Sequence, residues 1–83
     1  MTQEETRAYY DDPINERAMC DLLMDAHPGW VVWRLGRDRT LRPVPLWCAR
    51  REGWCAAQAP LMDENAGQLN RAMAMVDAGA VAT

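Results

Sequence analysis

From residue 14 onward the apolar side chains keep a helical rhythm. Ile14, Ala18, Met19, Leu22, Leu23 and Ala26 form one stripe, and Asn15, Glu16, Arg17, Asp21 and Asp25 take the other side. Asp12 as N-cap and Pro13 at the first helical position start this helix, and His27-Pro28-Gly29 stops it. A second stripe of Ala66, Leu69, Met73, Val76 and Ala80 predicts a C-terminal helix, led in by Pro60 and Asp63, with Gly79 suited to its C′ position. Between the stripes the pattern changes. WVVWRL (30–35) is β-branched and aromatic and reads as a strand, as do LWCAR (46–50) and WCAAQ (54–58). Arg51-Glu52-Gly53 joins the last two as a hairpin, with Gly53 free to adopt positive φ. Pro43 and Pro45 exclude a central strand from the connection before them. At the amino terminus T-Q-E-E matches a capping box of Thr2 and Glu5, and a short helix over 3–10 would need Tyr9 and Tyr10 to dock it.

The pattern predicts an α+β fold: helix, three-stranded antiparallel sheet, helix, with the helices on one sheet face. Residues 1–83 form a single domain, and 1–11 serve as an amino-terminal arm or short helix. Side-chain alternation then assigns faces. In a hairpin with 50 opposite 54, Trp47, Ala49, Cys55 and Ala57 share the covered side. Leu46, Cys48, Arg50, Trp54, Ala56 and Gln58 share the other. In the first strand the all-apolar set Val31, Trp33 and Leu35 is expected inward, which sends Trp30, Val32 and Arg34 outward. The expected outer face therefore mixes tryptophan and arginine, a composition enriched at protein interfaces.

Charge is unevenly placed. The net charge is −3, yet residues 28–58 carry six of the nine arginines against Asp38 and Glu52, and both flanking segments are acidic. All nine basic residues are arginine, there are thirteen alanines, and phenylalanine is absent. A GC-rich coding sequence produces this bias without selection for guanidinium chemistry, so arginine in place of lysine does not argue for phosphate binding. The polar, acidic start MTQEETR argues against a signal peptide, and no run approaches the ~18 apolar residues of a membrane span. These features point to the cytoplasm, where Cys20, Cys48 and Cys55 are expected as thiols.

Catalytic and metal chemistry finds little support. Cys20, His27, Cys48 and Cys55 supply four potential metal ligands, but both close gaps are longer than a zinc knuckle, and Cys48 and Cys55 face opposite ways in the preferred register. A Cys–His pair lacks a third orienting group, and Asp11-Asp12 and Asp63-Glu64 sit where helix capping explains them. No cofactor is expected.

Two resemblances accompany these observations. The order helix, three strands, helix resembles the double-stranded-RNA-binding domain in topology. That family opens its second helix with a basic cluster, whereas this chain has DENAGQ there and lacks the Gly-Pro-x-His loop. HPGWVVW, WCARREG and the terminal Leu/Ala/Met helix, over residues 27–80, resemble short proteins of GC-rich actinobacteria with PGW-x-[IV]-W and W-[CA]-A patterns. That resemblance implies no activity.

The expectation is thus a small, non-enzymatic interaction or regulatory protein that binds a protein partner or pairs with itself. Trp30 and Trp54 would anchor the contact, flanked by Arg34 and Arg50, while Arg37, Arg39 and Arg42 steer the encounter. A nucleic-acid-binding regulator using the arginines of 34–51 is the first alternative. An acidic inhibitor from a phage or mobile element is the second.

Overall fold

The computed structural model describes residues 2–35, 45–55 and 58–79. Its elements are α1 (Gln3–Asp11), α2 (Pro13–Ala26), β1 (Trp30–Leu35), β2 (Leu46–Arg51), β3 (Leu61–Asp63) and α3 (Ala66–Asp77). The capping logic read from the sequence is realised. Thr2 Oγ1 accepts the Glu5 amide at 3.1 Å, and Asp12 Oδ1 accepts the Ile14 amide at 2.9 Å. Pro13 explains the break between α1 and α2: it has no N–H to offer the Tyr9 carbonyl four residues back. Asn15 Nδ2 donates to that carbonyl instead, at 3.0 Å. Asn65 caps α3 by accepting the Gln68 amide, and Gly79 ends it at φ 73°, a conformation in which a Cβ would be strained.

The strands form an antiparallel sheet in the order β1-β2-β3. α2 packs on β1, α3 packs on β2 and β3, and α1 lies against α2. The predicted α+β layout therefore holds. The core lies between helices and sheet, where Cys20, Leu23, Leu69, Met73 and Val76 meet Trp30, Val32, Trp47 and Ala49. Among the described residues no helix is long and apolar enough to cross a membrane.

Two expectations are corrected. The third strand is Leu61–Asp63, paired so that Trp47 opposes Asp63, Cys48 opposes Met62 and Ala49 opposes Leu61; of the expected 54–58, Trp54, Cys55 and Gln58 are in no strand, and 56–57 lie outside the described residues. Gly53 does take positive φ, at 91°, but the chain leaves the sheet after the turn. Trp54 folds back so that its ring meets Trp30 edge-on at 5.4 Å, half-buried against the core.

The second correction concerns β1. Trp30, Val32 and Arg34 point inward, whereas Val31 is 50 % exposed and Trp33 and Leu35 are half-buried. Trp47 and Ala49 are inward, as expected. The rule that sends an all-apolar set inside fails because this interior has a place for a guanidinium. Arg34 is only 6 % exposed. Its Nη1 donates to the Tyr10 carbonyl at 3.0 Å and to Asp11 Oδ1 at 3.1 Å, and its Nη2 donates to the Arg7 carbonyl at 3.4 Å. Glu16 Oε2 lies 3.8 Å away, and the Trp47 ring centroid lies 5.4 Å beneath the guanidinium carbon. Arg34 thus caps the open carbonyls at the C-terminus of α1, where positive charge is favoured. Tyr10 meets Trp47 edge-on at 5.0 Å beside it.

α1 buries none of its own residues, and this docking, with Tyr10 against the core and Arg7 3.9 Å from Glu64, holds it. Arg34→Leu is expected to lose about 2 kcal/mol of stability, the scale of a few charge-assisted hydrogen bonds, together with the helical signal of α1. Leu69→Ala, at a fully buried core position, is expected to lose about 3 kcal/mol while α1 stays formed. Urea denaturation with amide exchange separates the two. Equal protection of α1 in wild type and Arg34→Leu would contradict the docking role.

Candidate functional site

With the inner side of the sheet filled, the available surface lies on its other side and along its edge. Trp33, Cys48 and Met62 stand opposite one another across the three strands, and Val31 stands opposite Arg50. Val31 and Met62 are about half exposed, at 50 % and 52 %, and Trp33 is half-buried. Cys48 in the middle of the row is sealed, at 1 % exposure, yet stands outside the core cluster between helices and sheet. The result is an apolar row with one cation beside it. Arg50 Nη1 donates to the Cys55 carbonyl at 3.3 Å.

Among the described residues β1 is an edge strand of the sheet, six residues long, while the opposite edge β3 has only three. Beside the β1 edge a cleft of about 400 Å³ opens between Val32 and Trp33 of the strand and one side of α2. That side of α2 offers Cys20 and Met24 as apolar lining and Glu16, Arg17 and Asp21 as charged groups. The residues recur at helical spacing because α2 crosses β1 with one stripe facing it. Glu16 and Asp21 are met there by Arg17 and, 3.8 Å from Glu16, by Arg34. The Cys20 thiol is pushed up to about 11, first by burial and then by Glu16 and Asp21, with Arg34 acting in the opposite sense. A second cavity, about 330 Å³, lies between α2 and α3 and is lined by Met19, Leu22, Ala26, Ala66 and Gly67 among others.

The residues expected to form the contact surface are scattered. Trp30 and Arg34 are buried on the helix side, and Trp54 packs on Trp30 instead of facing outward beside Arg50. Arg50 is on the outer side as expected, half-buried. Arg37, Arg39 and Arg42 lie outside the described residues. Val31, Trp33 and Met62 were missed. The signal that could have found them is the amphipathic nature of arginine, which can bury its stem and one charged end when carbonyls and carboxylates surround it.

The four potential metal ligands do not converge. Cys20 is on the inner side of α2, Cys48 on the outer side of β2 and Cys55 in the exposed turn after it. Among the described residues no group of three His, Cys, Asp or Glu side chains could hold an ion. His27 belongs to a polar seam instead. Its Nδ1 lies 3.2 Å from Asp77 Oδ2 and its Nε2 lies 2.6 Å from Asn70 Oδ1, both on α3. Asp77 Oδ1 also accepts the Trp30 indole N–H at 2.9 Å, and Arg51 Nε is 3.9 Å away. A carboxylate at a helix C-terminus is opposed by the helix dipole, and these donors offset that. Together they hold the Asp77 carboxyl below its usual range, the Trp30 hydrogen bond most of all, then His27 and the Arg51 charge.

These features define the class: a small α+β domain with two helices over one face of a three-stranded sheet, the other face partly open. No protein family matches the chain, and neither a curated protein nor a solved structure matches it.

Two measurements check this geometry. Because the folded carboxyl of Asp77 titrates below its unfolded value of about 3.9, its contribution to stability is complete above that value. It is lost as pH falls through the lower, folded pKa. Asp77→Asn should therefore flatten the acid limb of the urea midpoint plotted against pH. An unaltered limb would contradict the seam. Iodoacetamide should modify exposed Cys55 readily, while Cys20 and Cys48, buried and with raised thiol pKa values, react only on unfolding.

Proposed function

We propose that this chain is a small non-enzymatic interaction protein of the cytoplasm, and that its contact surface is the outer side of β1. The observation that carries this reading is half-exposed Val31 two residues before Trp33 on the outer side of β1, with half-exposed Met62 two strands away beyond the sealed Cys48, opposite a filled core. Exposed apolar side chains on one side of a sheet, with an aromatic ring beside one of them, are what a partner would cover. The engagement of both His27 ring nitrogens by α3 side chains supports the non-enzymatic reading, because neither is directed at a reacting group. The nucleic-acid reading is weakened by Arg34, whose guanidinium is spent on α1 and Trp47 and cannot reach a phosphate. Whether the protein partner is a second copy or another chain is a matter for the test.

A photo-crosslinking residue in place of Val31 is expected to give a discrete covalent adduct with one protein in the source cell, a second copy of the chain included. The same residue in place of Arg71, exposed on α3, serves as control and is expected to give none. Equal labelling at both positions, or none at position 31, would remove the proposal.

A further inference from the structure

The geometry points to a second contact surface, on α2: we infer that two copies of this chain pair through the outward ridge of that helix, antiparallel and about a twofold axis. This surface is separate from the one proposed above. The ridge looks away from the sheet, and Val31, Trp33 and Met62 lie on the sheet's other side.

The apolar stripe of α2 is wider than the core can take. Cys20 and Leu23 are buried, and Met19 packs against them. Ile14, Ala18, Leu22 and Ala26 stay outside, all exposed and each four residues from the next, so they form one ridge along the helix. Ile14 at 78 % and Leu22 at 60 % are the two most exposed large apolar side chains among the described residues.

Three features of the ridge select a second copy as its occupant. The first is shape, because large and small side chains alternate along it. Under a twofold axis level with Cys20, Ile14 stands opposite the partner subunit's Ala26 and Leu22 opposite the partner subunit's Ala18. Every large side chain then meets a small one, which lets two ridges close without a clash. The second is space. Ala26 lines the cavity of about 330 Å³ between α2 and α3, where Ala66 and Gly67 keep the α3 wall low. The partner subunit's Ile14 ends at that opening. The third is charge. Arg17, Asp21 and Asp25 form the next row of α2 and, among the described residues, make no ion pair within the chain. The same axis sets Arg17 level with the interval between the partner subunit's Asp21 and the partner subunit's Asp25, so each guanidinium gains two carboxylates.

Fourteen residues make α2 about 20 Å long. Two such faces, with the start of α3, bury on the order of 1,000 Å² in total, the low end for specific association. A reversible dimer is therefore expected, with a dissociation constant in the micromolar range.

Sedimentation equilibrium of the full chain is the test, and the wild type is expected to show monomer and dimer in exchange. Leu22→Ala sets small opposite small, and Ala18→Leu sets Leu opposite Leu. Each is expected to weaken the dimer about tenfold, the scale of one buried leucine. The exchange of the two, Ala18→Leu with Leu22→Ala, restores the alternation because these positions face each other across the axis. It is expected to return the dissociation constant to within about threefold of wild type. Both positions are exposed, so unchanged circular dichroism and melting of the dilute variants show that they fold. Val31→Glu, on the sheet's outer side, is expected to leave the dimer intact. A wild type that stays monomeric at submillimolar concentration leaves the ridge to a helix of another protein and overturns the inference. A dimer lost in Val31→Glu and kept at full strength in Leu22→Ala overturns it too, and places self-association on the sheet. A double exchange that fails to restore the dimer overturns the antiparallel register. The adduct expected at position 31 does not depend on this ridge, so either reading can fail alone.

Discussion

A buried guanidinium decides which way the first strand faces. Burying a charge is costly unless it is paired and hydrogen-bonded, so Arg34 can point inward only because α1 brings two carbonyls and Asp11 to it, with Glu16 close by. The dependence runs both ways. α1 has no buried residue of its own and is retained by what Arg34 and Trp47 offer it. Because strand side chains alternate, placing Arg34 inside also places Trp30 and Val32 inside, and Val31, Trp33 and Leu35 on the other side. The apolar outer surface is therefore a consequence of satisfying one cation.

The opposite end of β1 is fastened by a second polar arrangement. Asp77 of α3 gathers the Trp30 indole, the His27 ring and the Arg51 guanidinium, which ties the turn after α2 and the ends of β1 and β2 to the last helix. With Arg34 near one end of the strand and Trp30 at the other, β1 is clamped on its inner side. Among the described residues, what stays available is its outer side, and a cleft lined by α2 opens beside its edge.

Much of the fold was legible in the sequence, because its signals were local. Thr2, Asp12, Pro13 and Gly79 act within a turn of their own positions, and the helical stripes of α2 and α3 are repetitive. β2 was also readable, with Trp47 and Ala49 on the covered side. The errors arose where a distant partner outweighs local preference. Nothing near Arg34 in sequence announces that the end of α1 will supply its acceptors. Trp54 reads as a strand residue until Trp30 is placed beside it, and β3 is too short to stand out from the turn residues around it. The candidate site was misread for the same reason: the tryptophans and arginines chosen for binding are largely the ones consumed in holding the fold.

The claim on which everything else turns is the facing of β1, and thiol accessibility at two adjacent positions measures it most directly. Cysteine introduced singly at Val31 or at Val32 can be followed by mass spectrometry, which separates it from the native thiols. The account predicts that Val31→Cys reacts with an alkylating reagent at close to the rate of an unfolded peptide. Val32→Cys should react more slowly by on the order of a hundredfold, limited by local opening. The reverse order would place Arg34 in solvent and contradict the account.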